Sequence, residues 1–342
     1  MPAARLIRSL ALAGFVLCFI VVVLGAYVRL TAAGLGCPDW PGCYGHVTPL
    51  GAQHSAAAQA AFAQRPLEVG KAWREMIHRY AASTLGLLIA AIASIVIVNR
   101  RVRPVSVGYA LALLGIVVLQ GMLGMLTVTW QLKPLIVTLH LLFGLTTLGL
   151  LWWLVLSLPR TGWGSATRSR RQASAAITAA TVSGLIALVI QIALGGWTSS
   201  NYAAIACPDF PTCQNQWWPV TDFRDAFVLW HGLWVNYEGG ILENPARVAI
   251  HLTHRLGAVV ATLTLCAVAV TILASSSLRA LRPRAIAVLA ALALQLAIGI
   301  SMVIKGFPLW LATAHTAGAA VLLLSVMALL HALRRAPGAS AF

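Results

Sequence analysis

Arg74-Glu75-Met76-Ile77-His78-Arg79 places a carboxylate, an imidazole and a guanidinium within about one helical turn, at the start of a long apolar run. An imidazole can hold a metal, a carboxylate can handle a proton, and a guanidinium can pair with an anion. Ile250-His251-Leu252-Thr253-His254-Arg255 opens a later apolar run in the same way. The pairs His78-Arg79 and His254-Arg255 are 176 positions apart. Cys37-Pro38-Asp39-Trp40-Pro41-Gly42-Cys43 returns 170 positions on as Cys207-Pro208-Asp209-Phe210-Pro211-Thr212-Cys213. Gln120 and His140 return 175 positions on as Gln295 and His315. The chain reads as a duplication in which each half brings its own pair of helix-borne histidines.

The elements that must position these residues follow from composition. Of 342 residues, 60% are hydrophobic and 9% charged, with a mean hydropathy of +0.85. No soluble core needs so much apolar surface, so the expected class is an all-α polytopic membrane protein. At about 20 apolar residues per span, eight helices are expected near 9–30, 73–98, 105–129, 134–158, 174–198, 246–274, 284–304 and 309–333. Their ends sort by charge. Arg5, Arg8, Arg100, Arg101, Arg103, Arg160, Arg168, Arg170, Arg171, Arg279, Arg282, Arg284, Arg334 and Arg335 fall on one side, and all eight acids on the other. The positive-inside rule then puts both termini in the cytoplasm. The formal charge of +16 belongs to this orientation and to contact with anionic lipid, not to nucleic acid. The first apolar run is long enough to span and no small-residue cleavage site follows it, so no cleaved signal peptide is expected.

Four helices per half make both halves enter the membrane the same way. The expected architecture is two tandem four-helix bundles in a parallel repeat, with an N-half over 1–160, a cytoplasmic linker over 161–173 and a C-half over 174–342. Tight turns at Lys133-Pro134 and Lys305-Gly306-Phe307-Pro308 join helices 3–4 and 7–8. Two long outer loops, near 31–72 and 199–245, each begin with a cysteine pair.

His78, His140, His254 and His315 all lie on helices that run inward from the outer face, at one depth of about 8–12 Å. Two imidazoles per half suit a metal whose remaining ligands come from a macrocycle, which is haem. Single histidines that bridge helices by hydrogen bonds are the ordinary alternative. Zinc is disfavoured because no further thiolate or carboxylate set stands at suitable spacing. Arg79 and Arg255 could each meet a haem propionate or reach to lipid headgroups. Glu75 shares a helix face with His78 and its counterpart is His251, so one half alone carries a carboxylate beside its histidine. That difference suggests a reactive site in the N-half and a static cofactor in the C-half, unless Glu75 is a solvated first-turn acid. Cys37 with Cys43, and Cys207 with Cys213, could be disulfides that shape a cap or thiols that work in redox exchange. Cys18 and Cys266 read as apolar helix residues, and His46, His54, His231 and His331 as surface or loop residues. Gly121, Gly124, Gly195, Gly196 and Gly299 would allow close helix approach or room for a macrocycle.

Eight helices in two halves, Glu-x-x-His-Arg opening the second helix, histidines in helices 4, 6 and 8, and a cysteine pair in each half resemble the haem A synthases of aerobic respiration. The resemblance covers nearly the whole chain and matches the bacterial form with two cysteine pairs. It implies an inner-membrane oxidoreductase that converts the C8 methyl of haem O to the formyl group of haem A, for cytochrome oxidase, by successive hydroxylations. It further implies a b-type haem on His254 and His315, haem O substrate between His78 and His140, and Glu75 close to the reacting group. Haem O synthase and oxidase assembly factors would be its neighbours, and a homo-oligomer is compatible with it. A diheme b-type electron carrier gives no reason for Glu75 in one half only. An outer-face thiol/quinone oxidoreductase leaves four aligned histidines idle, and a haem transporter needs no asymmetry.

Overall fold

The computed structural model describes residues 2–99, 105–158, 175–232 and 235–334. The expected linker 161–173 lies outside the described residues, as do Arg100, Arg101, Arg103, Arg160 and Arg335. Eight long helices dominate: α1 (Pro2–Leu30), α2 (Val69–Val98), α3 (Val107–Thr129), α4 (Pro134–Ser157), α5 (Ala175–Ser200), α6 (Asn244–Ala274), α7 (Arg282–Ile304) and α8 (Leu309–Arg334). All eight are long and apolar enough to cross a membrane. In lipid such segments must satisfy their backbone internally, which selects helix. Among the described residues there is no strand, only isolated bridges at Cys43–His46 and Cys213–Gln216. The protein is an all-α polytopic membrane protein.

Local chemistry sets several ends. Proline occupies the first positions of α4, α6 and α7, where its missing N–H costs nothing. Ser106 caps α3 by accepting from the Tyr109 N–H at 3.2 Å. Gln131 and Leu132, at φ 47° and 61°, stop α3; Gly306 and Phe307, at φ 69° and 60°, stop α7.

In the N-half, α1, α2, α3 and α4 pack in sequence, and α4 returns to α1. In the C-half α5, α6, α7 and α8 do the same. The halves meet through α1 on α8, α4 on α5, and α4 on α8. Exchanging the halves maps the first of these contacts onto the second and the third onto itself. One apolar core runs through both halves, from Ile89, Leu113 and Leu148 to Leu265, Ile272 and Leu322. Backbone details recur at the sequence offsets of the duplication. Left-handed residues pair as Ala32 with Tyr202, Tyr44 with Gln214 and Gly45 with Asn215. Cis peptide bonds precede both Pro41 and Pro211.

Both cysteine loops emerge at one end of the bundle, the loop end. Part of the C-half loop reaches over the N-half there. Arg65 pairs with Glu238 at 3.1 Å, and the Tyr237 N–H donates to Gln131 O at 3.1 Å. Lys133 donates to Gly232 O at 2.9 Å, with its ammonium over the Trp230 ring. Burial pushes the Lys133 ammonium below its ordinary pKa. At the opposite end, His331 corrects its expected surface position. It is buried on α8, bonded to Ser157 Oγ at 3.2 Å and edge-on to Trp153, which joins the halves. An apolar neighbourhood accepts this ring because its polar atom has a partner.

Candidate functional site

His78 on α2, His140 on α4, His254 on α6 and His315 on α8 lie six to ten residues inside their helices, all toward the loop end. Each ring is closely surrounded by protein yet keeps accessible surface. The rings meet in the pairs expected from the repeat. His254 and His315 have ring centroids 6.5 Å apart with planes at 80°. His78 and His140 are near enough for charge on one to act on the other.

Each ring also rests on a glycine of the preceding helix. A methyl group on Gly25 would lie 3.0 Å from Cε1 of His78, and on Gly195 3.1 Å from Cε1 of His254. The corresponding distances are 3.3 Å from Gly124 to His140 and 2.9 Å from Gly299 to His315. Any larger residue would push the imidazole off its position. Gly196 faces Leu141 and Thr138 instead, while Gly121 has nothing within 4 Å, so it makes no such contact.

Three histidines carry a second hold. The Gln120 amide donates to His140 O at 2.8 Å. Gln191 donates to His254 O at 3.0 Å and lies 3.1 Å from its Nδ1. Gln295 donates to His315 O at 3.1 Å and lies 3.3 Å from its Nδ1. These amides are seated on Gly144, Gly257 and Gly318 of the histidine helices. Gln120 and Gln295 were visible as repeats in the sequence, but their role was not. Gln191 and Gly25 were missed; Gly25 is the 170-position counterpart of Gly195 and could have been found that way.

The shared geometry of the two cysteine loops comes from an aspartate inside and an arginine beneath. Asp39 accepts from the N–H of Tyr44 at 2.6 Å and of Gly45 at 2.8 Å. Asp209 accepts from Gln214 at 2.6 Å and Asn215 at 3.0 Å. Arg79 donates to the carbonyls of Asp39, Pro41 and Gly42, the last at 2.6 Å. Arg255 donates to those of Cys207, Asp209, Pro211 and Thr212, two of them at 2.7 Å. These carbonyls, unnamed in the sequence reading, offset the cost of placing guanidinium so deep; neither a propionate nor a lipid headgroup is needed for that. Cys37–Cys43 and Cys207–Cys213 are disulfides, and Cys18 and Cys266 are free.

Glu75 is where the halves part. It is only 4% exposed and lies in the second turn of α2, which removes the solvated first-turn alternative. One carboxylate oxygen accepts from the Cys37 N–H at 2.9 Å, and the other pairs with Arg79. The carboxylate thus touches both the disulfide loop and the arginine that holds it. In the C-half the same position is His251, also buried.

Among the described residues no three His, Cys, Asp or Glu side chains converge as a metal site. A metal between paired imidazoles would need its other ligands from a macrocycle. Two metal–imidazole bonds of about 2.0 Å, with roughly 1.1 Å from each nitrogen to its ring centre, put the centroids about 6 Å apart. The His254–His315 pair fits one haem iron on that measure.

Residues 8–327 match the family model COX15-CtaA, described as cytochrome oxidase assembly protein. The chain is 41% identical over 310 residues to a Shewanella oneidensis protein named Heme A synthase, covering 90% of this chain and 91% of that one. It is 29% identical over 358 residues to the Heme A synthase of Rhizorhabdus wittichii, covering 95% of each. A Paracoccus denitrificans protein of the same name is 29% identical over 338 residues, covering 93% of this chain and 85% of that one.

Proposed function

The chain belongs to the COX15-CtaA family of cytochrome oxidase assembly proteins, and from that premise we propose that it is a haem A synthase. It is then a membrane oxidoreductase that converts haem O to haem A. The C8 methyl becomes a formyl group by two hydroxylations, each of which puts an oxygen on the carbon and passes two of its electrons to an external oxidant, after which the gem-diol loses water. Bound haem iron supplies the redox power that side chains lack.

The protein's own residues bind, orient and poise. His254 and His315 hold a b-type haem in the C-half, and His78 and His140 hold the haem O substrate in the N-half. The glycines beneath the four rings set each imidazole's position, and the two halves keep both haems toward the loop end. Glu75, fixed by Arg79 and the Cys37 N–H, presents a carboxylate one turn from His78. There it serves the reacting edge of the substrate, taking or giving a proton or stabilising developing positive charge. Arg79 and Arg255 act first as clamps on the disulfide loops, which close the loop end over the haem sites. A propionate reaching either guanidinium would join the carbonyls already there.

In this reading the loop end faces the outer, oxidising side of a bacterial cytoplasmic membrane, which suits the disulfides, and both termini are cytoplasmic. The open lipid-facing flanks of a helix bundle suit a farnesylated substrate that arrives through the bilayer. Haem O synthase and oxidase assembly factors are its expected neighbours.

A buried carboxylate at one of the two histidine sites carries this reading, because an electron carrier with two equivalent haems has no use for it. The test is to purify wild type and Glu75→Gln from cells that make haem O, then extract and identify the haems. Haem B with haem A or haem O in wild type, and haem O without haem A in the variant, is the expected result. Two equal copies of haem B, unchanged by the substitution, would replace the synthase with the carrier.

A further inference from the structure

The histidine sites differ in a second respect, and it concerns how firmly each ring is held. Gln191 binds the His254 carbonyl, flanks its Nδ1 and seats its head on Gly257. The NH2 donates to the carbonyl and to an unprotonated Nδ1; when Nδ1 carries the proton, Oε1, which has no other partner, can turn to accept from it at the expense of the bond to the carbonyl. In the N-half both parts of this latch are gone. Val21 stands 170 positions before Gln191, and Ala81 stands 176 positions before Gly257. His78 Nδ1 is buried without a partner. His140, across the same site, has an equally unpartnered Nδ1, but its backbone carbonyl keeps the Gln120 bond and that amide keeps its glycine seat at Gly144. Loss of donor and seat together matters, because a glutamine alone would collide with Ala81 much as Gln191 would with an alanine at Gly257.

We infer that His78 is the releasable member of the four, the imidazole that lets go of the substrate haem when it enters, reacts or leaves. His140, His254 and His315 are the ligands that hold. A ligating histidine is normally oriented by a hydrogen bond to its other ring nitrogen, and removing that bond weakens metal affinity. The duplication has removed it at the one site whose haem must be exchanged. Such a release would open the substrate site beside Glu75 by breaking the His78–iron bond alone, with no change of oxidation state. This inference rests on the proposed haem O site, and Val21 and Ala81 act in it as positioning residues.

Carbon monoxide is a suitable probe, since it binds reduced haem iron only where an axial ligand departs. The full-length protein, purified with its haems and reduced with dithionite, would be mixed with carbon monoxide and followed by absorbance, with each preparation's haems identified by extraction. In wild type the haem O population takes up carbon monoxide while haem B does not. The double variant Val21→Gln/Ala81→Gly, which installs the latch, slows that uptake by about tenfold, the effect of regaining one to two hydrogen bonds. Gln191→Val makes haem B reactive, and this second variant keeps the inference exposed to test if the first fails to fold. Equal reactivity of haem O and haem B in wild type, or uptake unchanged in both variants, overturns the inference alone. Absence of haem O and haem A from every preparation overturns the synthase reading itself, and this one with it.

Discussion

Gly195→Ala measures how tightly the bundle is built around its imidazoles. In a helix, alanine is ordinarily better than glycine by about 1 kcal/mol. At Gly86 nothing lies within 4 Å of the added methyl, so Gly86→Ala should keep that gain. At Gly195 the methyl would lie 3.1 Å from His254 Cε1, whereas carbon atoms prefer about 3.5–4.0 Å, so the ring must retreat by roughly 0.5 Å. Overpacking of this kind costs about 1–3 kcal/mol. The net change is a destabilisation of up to about 2 kcal/mol, opposite in sign to the control. If His254 holds haem as proposed, the displaced ring should also lose it, with affinity falling by about tenfold or more, as when an orienting partner of a ligand is removed. The assay is thermal unfolding in detergent, with haem B quantified by extraction and the axial field read by electron paramagnetic resonance. A Gly195→Ala protein as stable as Gly86→Ala, with full haem B and an unaltered resonance spectrum, would refute the packing argument.

Two further outcomes follow from contacts at the loop end. Arg65 and Glu238 join the two halves with side chains 30% and 32% exposed, so the pair contributes at most about 1 kcal/mol. Arg65→Glu or Glu238→Arg alone should speed protease cleavage within residues 199–243, and the double reversal should restore the wild-type rate. Arg79→Lys keeps the charge but cannot span three carbonyls and Glu75 at once. Faster reduction of Cys37–Cys43 by dithiothreitol is expected, with Cys207–Cys213 unaffected; equal rates for both disulfides would count against the clamp.

The fold was legible because hydropathy dictates it. Eight apolar runs in lipid leave the backbone no other choice, and the observed ends fall within a few residues of expectation for most helices, α1 excepted, which begins at Pro2 rather than near residue 9. The four histidines were legible for a different reason: duplication let each vouch for another. The arginines' partners were not, because Arg79 and Arg255 bind main-chain carbonyls, and a carbonyl has no letter in the sequence. His331 was misplaced because a histidine near a helix end looks solvated until a partner such as Ser157 on another helix is known. Gln191 was missed since its counterpart, Val21, differs, and a search for recurrence discards what does not recur.

That last failure points to where function is written in a duplicated protein. What the halves share is what any bis-imidazole site here requires: rings at one level, glycine beneath each, and an Asp–Arg frame for the disulfide loop. Such features cannot say which half does chemistry, since both have them. Glu75 against His251, and Val21 with Ala81 against Gln191 with Gly257, are differences of opposite kind. The first adds a charge whose burial needs Arg79 and the Cys37 N–H to support it. The second withdraws a hold at no cost in packing, because valine and alanine suit an apolar helix contact. Neither is useful to a haem that only relays electrons, where a fixed ligand and a neutral surround serve best. Together, on one helix pair around one histidine, they suit the proposed site, which must act on its haem and then give it up.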